Sequence, residues 1–155
     1  WGAGVKRAYH HTAPINALYA LHESLVLVKE EGLENAWARH TFHHKALAAG
    51  IEAMGLRFVV PEGERLPQLN AVTIPEGVDE AAVRKVLLES YSREIGAGLG
   101  ELAGKVWRIG LMGFGCNQKN VLFCLGALDA VLTSMKAPIN SGKAVGAAMA
   151  VYAAA

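Results

Sequence analysis

The sequence predicts an α+β domain, a short and mainly antiparallel sheet covered by helices and preceded by a long linking helix. Three observations carry this expectation. Apolar residues recur at steps of three and four over residues 14–31, 33–54, 80–90 and 117–135, the spacing of one helix face. β-Branched, aromatic and other apolar residues gather in three short runs, 56–60, 69–74 and 106–111, two of which stop at a proline. The signals follow in the order helix, strand, strand, helix, strand, helix with short connections, which is the order of an α+β fold.

Each element has a local reason. Residues 1–13 have no sustained period and read as a loop that enters a helix at Pro14, where a missing N–H is harmless and Thr12 or a neighbour can cap. Leu18, Leu21, Leu25 and Val28 keep helical spacing until Gly32. Leu33, Trp37, His40, His44, Leu47, Ile51 and Met54 continue it in a second helix that ends at Gly55. The runs at 56–60 and 69–74 are strands joined by a polar loop, ended by Pro61 and Pro75. Asp79 caps a helix with Ala82, Val86 and Leu87 inward, and a glycine-rich loop, Gly96 to Gly104, leads to the strand at 106–111. A helix from Asn117 carries Val121, Leu125, Leu128 and Leu132 on one stripe. The Ala- and Gly-rich tail beyond Pro138 spaces Val145, Met149 and Tyr152 for one more helix.

With 155 residues the chain is long enough for one domain that buries roughly 68–70% of its unfolded surface. A content of 52% apolar and 19% charged residues with 5 prolines excludes disorder and collagen-like repeats. Fifteen basic against fourteen acidic residues, scattered without a basic block, give a net charge of +1 and no electrostatic support for a nucleic acid partner. Cys116 and Cys124 form neither a disulfide framework nor a CxxC pair, which points to a reducing, cytoplasmic setting. The longest candidate membrane stretch, 121–132, contains Asp129 and is too short to span a bilayer, so no membrane partner is expected. The chain opens with Trp1 and no signal peptide, which reads as a fragment or a processed chain.

Three clusters bear on chemistry. His40 and His44 stand four apart on one helix face, a spacing open to two zinc ligands, but no third ligand and no HExxH glutamate accompany them, so no metal is expected. Gly96-Ala97-Gly98-Leu99-Gly100 lies before a strand rather than after one, which fits a connection lining a cavity better than a nucleotide loop. Arg108 sits in the middle of the apolar run Val106-Trp107-Arg108-Ile109-Gly110-Leu111. A guanidinium stays charged, and its planar fork suits a carboxylate. The residues alone leave two readings open: a substrate-carboxylate site, or an arginine on the solvent face of an edge strand.

Two motifs, Tyr9-His10-His11-Thr12 running into Pro14 and Gly104-Lys105-Val106-Trp107-Arg108-Ile109-Gly110-Leu111-Met112-Gly113, appear in order with Glu31-Gly32-Leu33-Glu34-Asn35 and Arg65-Leu66-Pro67. Together they resemble the class-V, fold-type I pyridoxal-phosphate aminotransferases that include alanine–glyoxylate and serine–pyruvate transaminases. The resemblance covers nearly the whole chain to about Met135 and leaves Phe114-Gly115-Cys116 and the tail without a role. It implies a loop and linking helix at 1–32 that join a large domain, a C-terminal small domain at 33–137, and a tail at 138–155. It implies that Arg108 binds the substrate α-carboxylate, and that Tyr9 and Thr12 reach the cofactor phosphate of the other subunit in a homodimer. The reaction implied moves an amino group from alanine or serine to glyoxylate or pyruvate.

The Schiff-base lysine of that family lies upstream of the Tyr9–Thr12 loop, and none of Lys6, Lys29, Lys45, Lys85, Lys105, Lys119, Lys136 or Lys143 holds its place. No catalytic residue is therefore expected in this chain, and the segment alone is expected not to transaminate. Two alternatives remain: a ureidoglycine–glyoxylate aminotransferase, and a free-standing, non-catalytic binding or dimerisation module of the same ancestry.

Overall fold

The computed structural model of the protein describes residues 11–154. The described residues divide into two compact units, one ending at Ala36 and the other beginning at Trp37. In the first, helix α1 spans Ile15–Glu31 and leaves Leu18, Leu21 and Leu25 exposed. Pro14 occupies its N-cap position without a side-chain cap, and Gly32, at φ 83°, ends it by donating its N–H to Val28 O. Helix α2, Leu33–Ala53, begins there and from Trp37 onward belongs to the second unit.

The second unit holds the sheet. Strands β1 (Leu69–Thr73), β2 (Gly96–Ala97) and β3 (Val106–Gly110) pair in the order β1-β3-β2, both pairings antiparallel. Strand β3 is thus central, and Arg108 stands opposite Ala71 on one side and Gly96 on the other. Side chains alternate across the sheet, so Trp107 and Ile109 enter the core with Val72, while Arg108 turns to the opposite face.

Helices cover the core face. Between β1 and β2, α3 (Glu80–Tyr91) buries Val83 and Leu87, and its cap Asp79 accepts hydrogen bonds from the N–H groups of Ala81 and Ala82 at 3.0 and 3.1 Å. Helix α4, Gln118–Ser134, is capped by Asn117 and buries Val121, Leu125, Leu128 and Leu132, the expected stripe. Helix α5, Ala144–Ala153, forms in the tail with Ala144 and Ala148 buried. Asp129 of α4 secures the turn that leads into it, accepting from Gly142 N–H at 3.0 and 2.9 Å and from the hydroxyls of Thr133 and Ser141 at 3.2 and 3.3 Å. The buried polar residue of α4 is therefore a loop anchor. Among the described residues, no helix is long and apolar enough to cross a membrane.

The α+β class, the antiparallel sheet and the helix positions agree with expectation, and two strands differ. Residues 56–60 form only an isolated bridge, Phe58 to Val72. They run beside β1, with Val59 N–H donating to Ala71 O at 3.0 Å and Thr73 N–H to Arg57 O at 2.8 Å. Pro61 cannot extend the pairing, and the Phe58 ring is claimed by Arg65, whose guanidinium lies 4.2 Å from its centroid. Conversely, Gly96-Ala97, read as loop, is strand β2. Main-chain pairing makes it, and the ladder continues with Gly98 N–H to Val106 O at 3.0 Å.

Candidate functional site

Arg108 is half-buried on the face of the central strand that turns away from the helices. Its Nε donates to Ala97 O at 2.7 Å, and its Nη1 and Nη2 have no hydrogen-bond partner among the described residues. Small neighbours make room for it. A Cβ built on Gly96 would stand 3.2 Å from Nη2 and 3.4 Å from Cζ, while Ala71 flanks it on the other strand. Strand β3 is the middle strand, so Arg108 does not lie on an edge strand. It is a partly exposed cation held at its inner nitrogen, with two outer N–H groups of the kind that suit a carboxylate.

Polar contacts, most of them at least partly buried, hold β3 and the turn after it against α2. The His44 Nδ1–H donates to Asn70 Oδ1 at 2.8 Å, and Asn70 Nδ2 donates to Ile109 O at 3.3 Å, next to Arg108 in sequence. Arg39 donates through Nη1 to Gly113 O and Cys116 O at 2.8 and 3.0 Å, and His40 Nε2 accepts from Gly113 N–H at 3.1 Å. The turn 113–115 then carries Phe114 at 99% exposure, and Met112 just before it is 56% exposed. Asn70, an amide amid an apolar run, is the signal that sequence reading passed over; Arg39 and His40 gave none, because their partners are main-chain atoms.

The histidines are thus parts of the frame. His40 and His44 have separate partners, Gly113 and Asn70, rather than a shared ligand, and no group of three ligating side chains occurs among the described residues. Burial lowers the His43 pKa, helped by Arg39 and His40, and burial likewise lowers that of His44. His43 Nδ1 lies 2.9 Å from the hydroxyl of Tyr152, whose own pKa burial pushes up to about 12. The glycine-rich stretch resolves into separate roles, with Gly96 against Arg108 and Gly98 packed on the Leu102 carbonyl.

Of the other two residues singled out, Tyr9 lies outside the described residues. Thr12 is exposed ahead of α1, and because α1 has no side-chain cap, its hydroxyl is not engaged in capping.

Among proteins of known activity, the chain is 49% identical over 147 residues to the (S)-ureidoglycine–glyoxylate transaminase of Bacillus subtilis, covering 95% of this chain and 35% of that protein. It is 42% identical over 134 residues to the alanine–glyoxylate aminotransferase of Callithrix jacchus, covering 85% and 32%. In solved structures it superposes on the Bacillus subtilis ureidoglycine–glyoxylate aminotransferase with a TM-score of 0.88 at 49% identity, covering 92% of this chain and 37% of that one. The chain is homologous to the class-V aminotransferases. It matches their C-terminal segment. The pyridoxamine–pyruvate aminotransferase of Mesorhizobium loti, at 34% identity, gives the same TM-score of 0.88 over 96% of this chain and 38% of that one. No protein-family model matches. The chain spans about a third of the length of the relatives it matches. Class-V aminotransferases depend on pyridoxal phosphate, and the small α+β domain of that fold is what the described residues form.

Proposed function

We propose that the protein carrying this segment is a pyridoxal-phosphate aminotransferase that moves an amino group from alanine or serine to glyoxylate or pyruvate, with Arg108 as the α-carboxylate anchor. The carrying observation is the arginine itself: central in the sheet, tied through Nε to Ala97 O, with both Nη groups unengaged between Ala71 and Gly96. Amino donor and keto acceptor share a carboxylate on the carbon beside the reacting one. A fixed two-pronged donor can therefore hold either substrate and orient the bond from Cα to hydrogen.

Thr12 and Tyr9 would donate hydroxyl hydrogen bonds to the cofactor phosphate of the neighbouring subunit in a homodimer. The exposed Thr12 hydroxyl, not used to cap α1, fits that task. When bound, pyridoxal phosphate supplies the electron sink that makes the Cα–H bond breakable. The lysine that anchors it is assigned to the upstream domain, so this segment contributes binding and orientation. The setting we assign is cytoplasmic.

Ureidoglycine is a second donor to assay, because the 49%-identical relative bears that name, and its carboxylate would meet Arg108 in the same way. Steady-state transamination by the full-length enzyme, with each donor against glyoxylate and pyruvate, ranks them. Loss of tight binding of both donor and acceptor in Arg108→Ala is the expected result, and wild-type KM for both would overturn the assignment.

A further inference from the structure

We infer that β2 is the positioning element of the carboxylate anchor: the Ala97 carbonyl and the bare face of Gly96 together set where the Arg108 guanidinium stands, and hence how far it reaches toward substrate. The inference rests on Arg108 being that anchor. Four nitrogen and carbon positions of a guanidinium can rotate together about the side-chain torsions, and little in a three-stranded sheet restrains an arginine on its outer face. Here a restraint exists. The Nε–H bond to Ala97 O, at 2.7 Å, fixes the inner end of the group and orients its plane.

Gly96 fixes its depth. It is the registered partner of Arg108 across the β2–β3 pair, so any Cβ it carried would project on the same face. That Cβ would meet Nη2 at 3.2 Å and both Cζ and Nε at 3.4 Å, and it would meet nothing else so closely. The contact is tight enough that the guanidinium must move by a few tenths of an ångström. The backbone of Gly96 does not need glycine for its own sake, since its φ lies outside the left-handed range. Gly96→Ala is therefore a local probe of the arginine with little backbone effect. Other glycines in the same stretch are different: Gly100 and Gly104 sit at φ 56° and 73°, where a side chain strains the main chain.

The consequence is specific to binding. A displaced fork no longer presents Nη1 and Nη2 where a carboxylate meets both, so donor and acceptor binding weaken together, while the chemistry at the neighbouring carbon, once substrate is bound, changes less.

The test is steady-state kinetics on the full-length enzyme carrying Gly96→Ala, Arg108→Lys, and both. Gly96→Ala is expected to raise KM for amino donor and keto acceptor by similar factors, about five- to tenfold, with kcat within about twofold and an unchanged thermal midpoint. In the Arg108→Lys background the same substitution should add less than twofold, because lysine has no group at the Nη2 position, the nearest of the three contacts. Gly63→Ala, with open space around its Cβ, serves as the control expected to change neither parameter. Wild-type KM values in Gly96→Ala, alongside raised values in Arg108→Ala, would overturn the positioning role and leave the anchor standing. Wild-type values in both variants would remove the anchor itself. If Gly96→Ala does not fold, the double variant decides: folding restored by Arg108→Lys upholds the contact, and failure to fold there as well overturns it.

Discussion

The replacement of Arg108 is the perturbation whose size can be worked from the structure. With Nε committed to Ala97 O, a substrate carboxylate held as proposed would meet Nη1 and Nη2 and form two charge-assisted bonds, each about 1.5–3 kcal/mol where water is excluded. The side chain is half-buried, so solvent screens part of this. A total of about 3 kcal/mol is expected, within the roughly 2–5 kcal/mol lost when one partner of a hydrogen-bonded charge pair is truncated. That corresponds to a fall of about 150-fold in kcat/KM for Arg108→Ala. Arg108→Lys keeps a point charge and loses the second prong, so about 1.5 kcal/mol, or roughly tenfold, should remain missing. The structural share is smaller: losing the bond to Ala97 O should reduce stability by about 1 kcal/mol. The assay is steady-state kinetics with donor and acceptor varied in turn, with thermal midpoints of the same preparations. Because both substrates present the same carboxylate, the two KM values should rise by similar factors. A loss confined to one substrate, or an unchanged KM with a lower midpoint, would refute the reasoning and make Arg108 a structural residue.

Asp129→Ala should release the turn into α5 by removing the acceptor shared by three donors, Gly142 N–H and the Thr133 and Ser141 hydroxyls, about 2–3 kcal/mol after allowing for the water that reaches the exposed Ser141 and Gly142. Hydrogen exchange across α5 should quicken by about 30- to 150-fold, and unchanged protection would discard the anchor role. Gly50→Ala should destabilise by about 1–3 kcal/mol despite alanine's better helix propensity, because its Cβ runs into the Leu125 side chain and stands 3.0 Å from Ala144 O. Adding Leu125→Ala relieves part of that crowding, so urea unfolding of the double variant should show less than the sum, and strict additivity would count against it. His43 and His44 have pKa values lowered below 6.5, first of all by burial. The unfolded chain then binds more protons than the folded one just below that value, so stability is complete above it and falls as the pH drops through the lowered pKa values. The thermal midpoint should decline on acidification below about pH 6.5, and an equal decline in His43→Gln/His44→Gln would show that these rings are not its source.

What could be read from residues alone follows a physical line. Helices with marked ends were legible: Asp79 and Asn117 cap α3 and α4, and Gly32 and Gly55 stop the first two helices, because capping and positive φ are local properties. Arg108 was legible as an anomaly, a permanent charge in an apolar run, though its place in the middle strand needed the pairing order. The strand read at 56–60 failed because propensity describes how residues suit a pleated surface, and there pairing gives way to Phe58 packing on Arg65 and His44. Strand β2 was invisible for the opposite reason, since glycine and alanine carry no strand signal and only the partner's main chain makes them one. The histidines, expected to be ordinary helix-face residues, are hydrogen-bonding struts to Asn70, Gly113 and Tyr152, long-range partners that no spacing rule encodes.

The grip on Arg108 by a carbonyl has a consequence for how such an anchor drifts in evolution. A main-chain oxygen survives replacement of the side chain it belongs to, so position 97 can vary widely and still hold Nε. Mutational vulnerability is instead concentrated one residue earlier, where the required feature is the lack of an atom. An anchor built this way would tolerate the turnover of most of its surroundings and be weakened by a single gained methyl group.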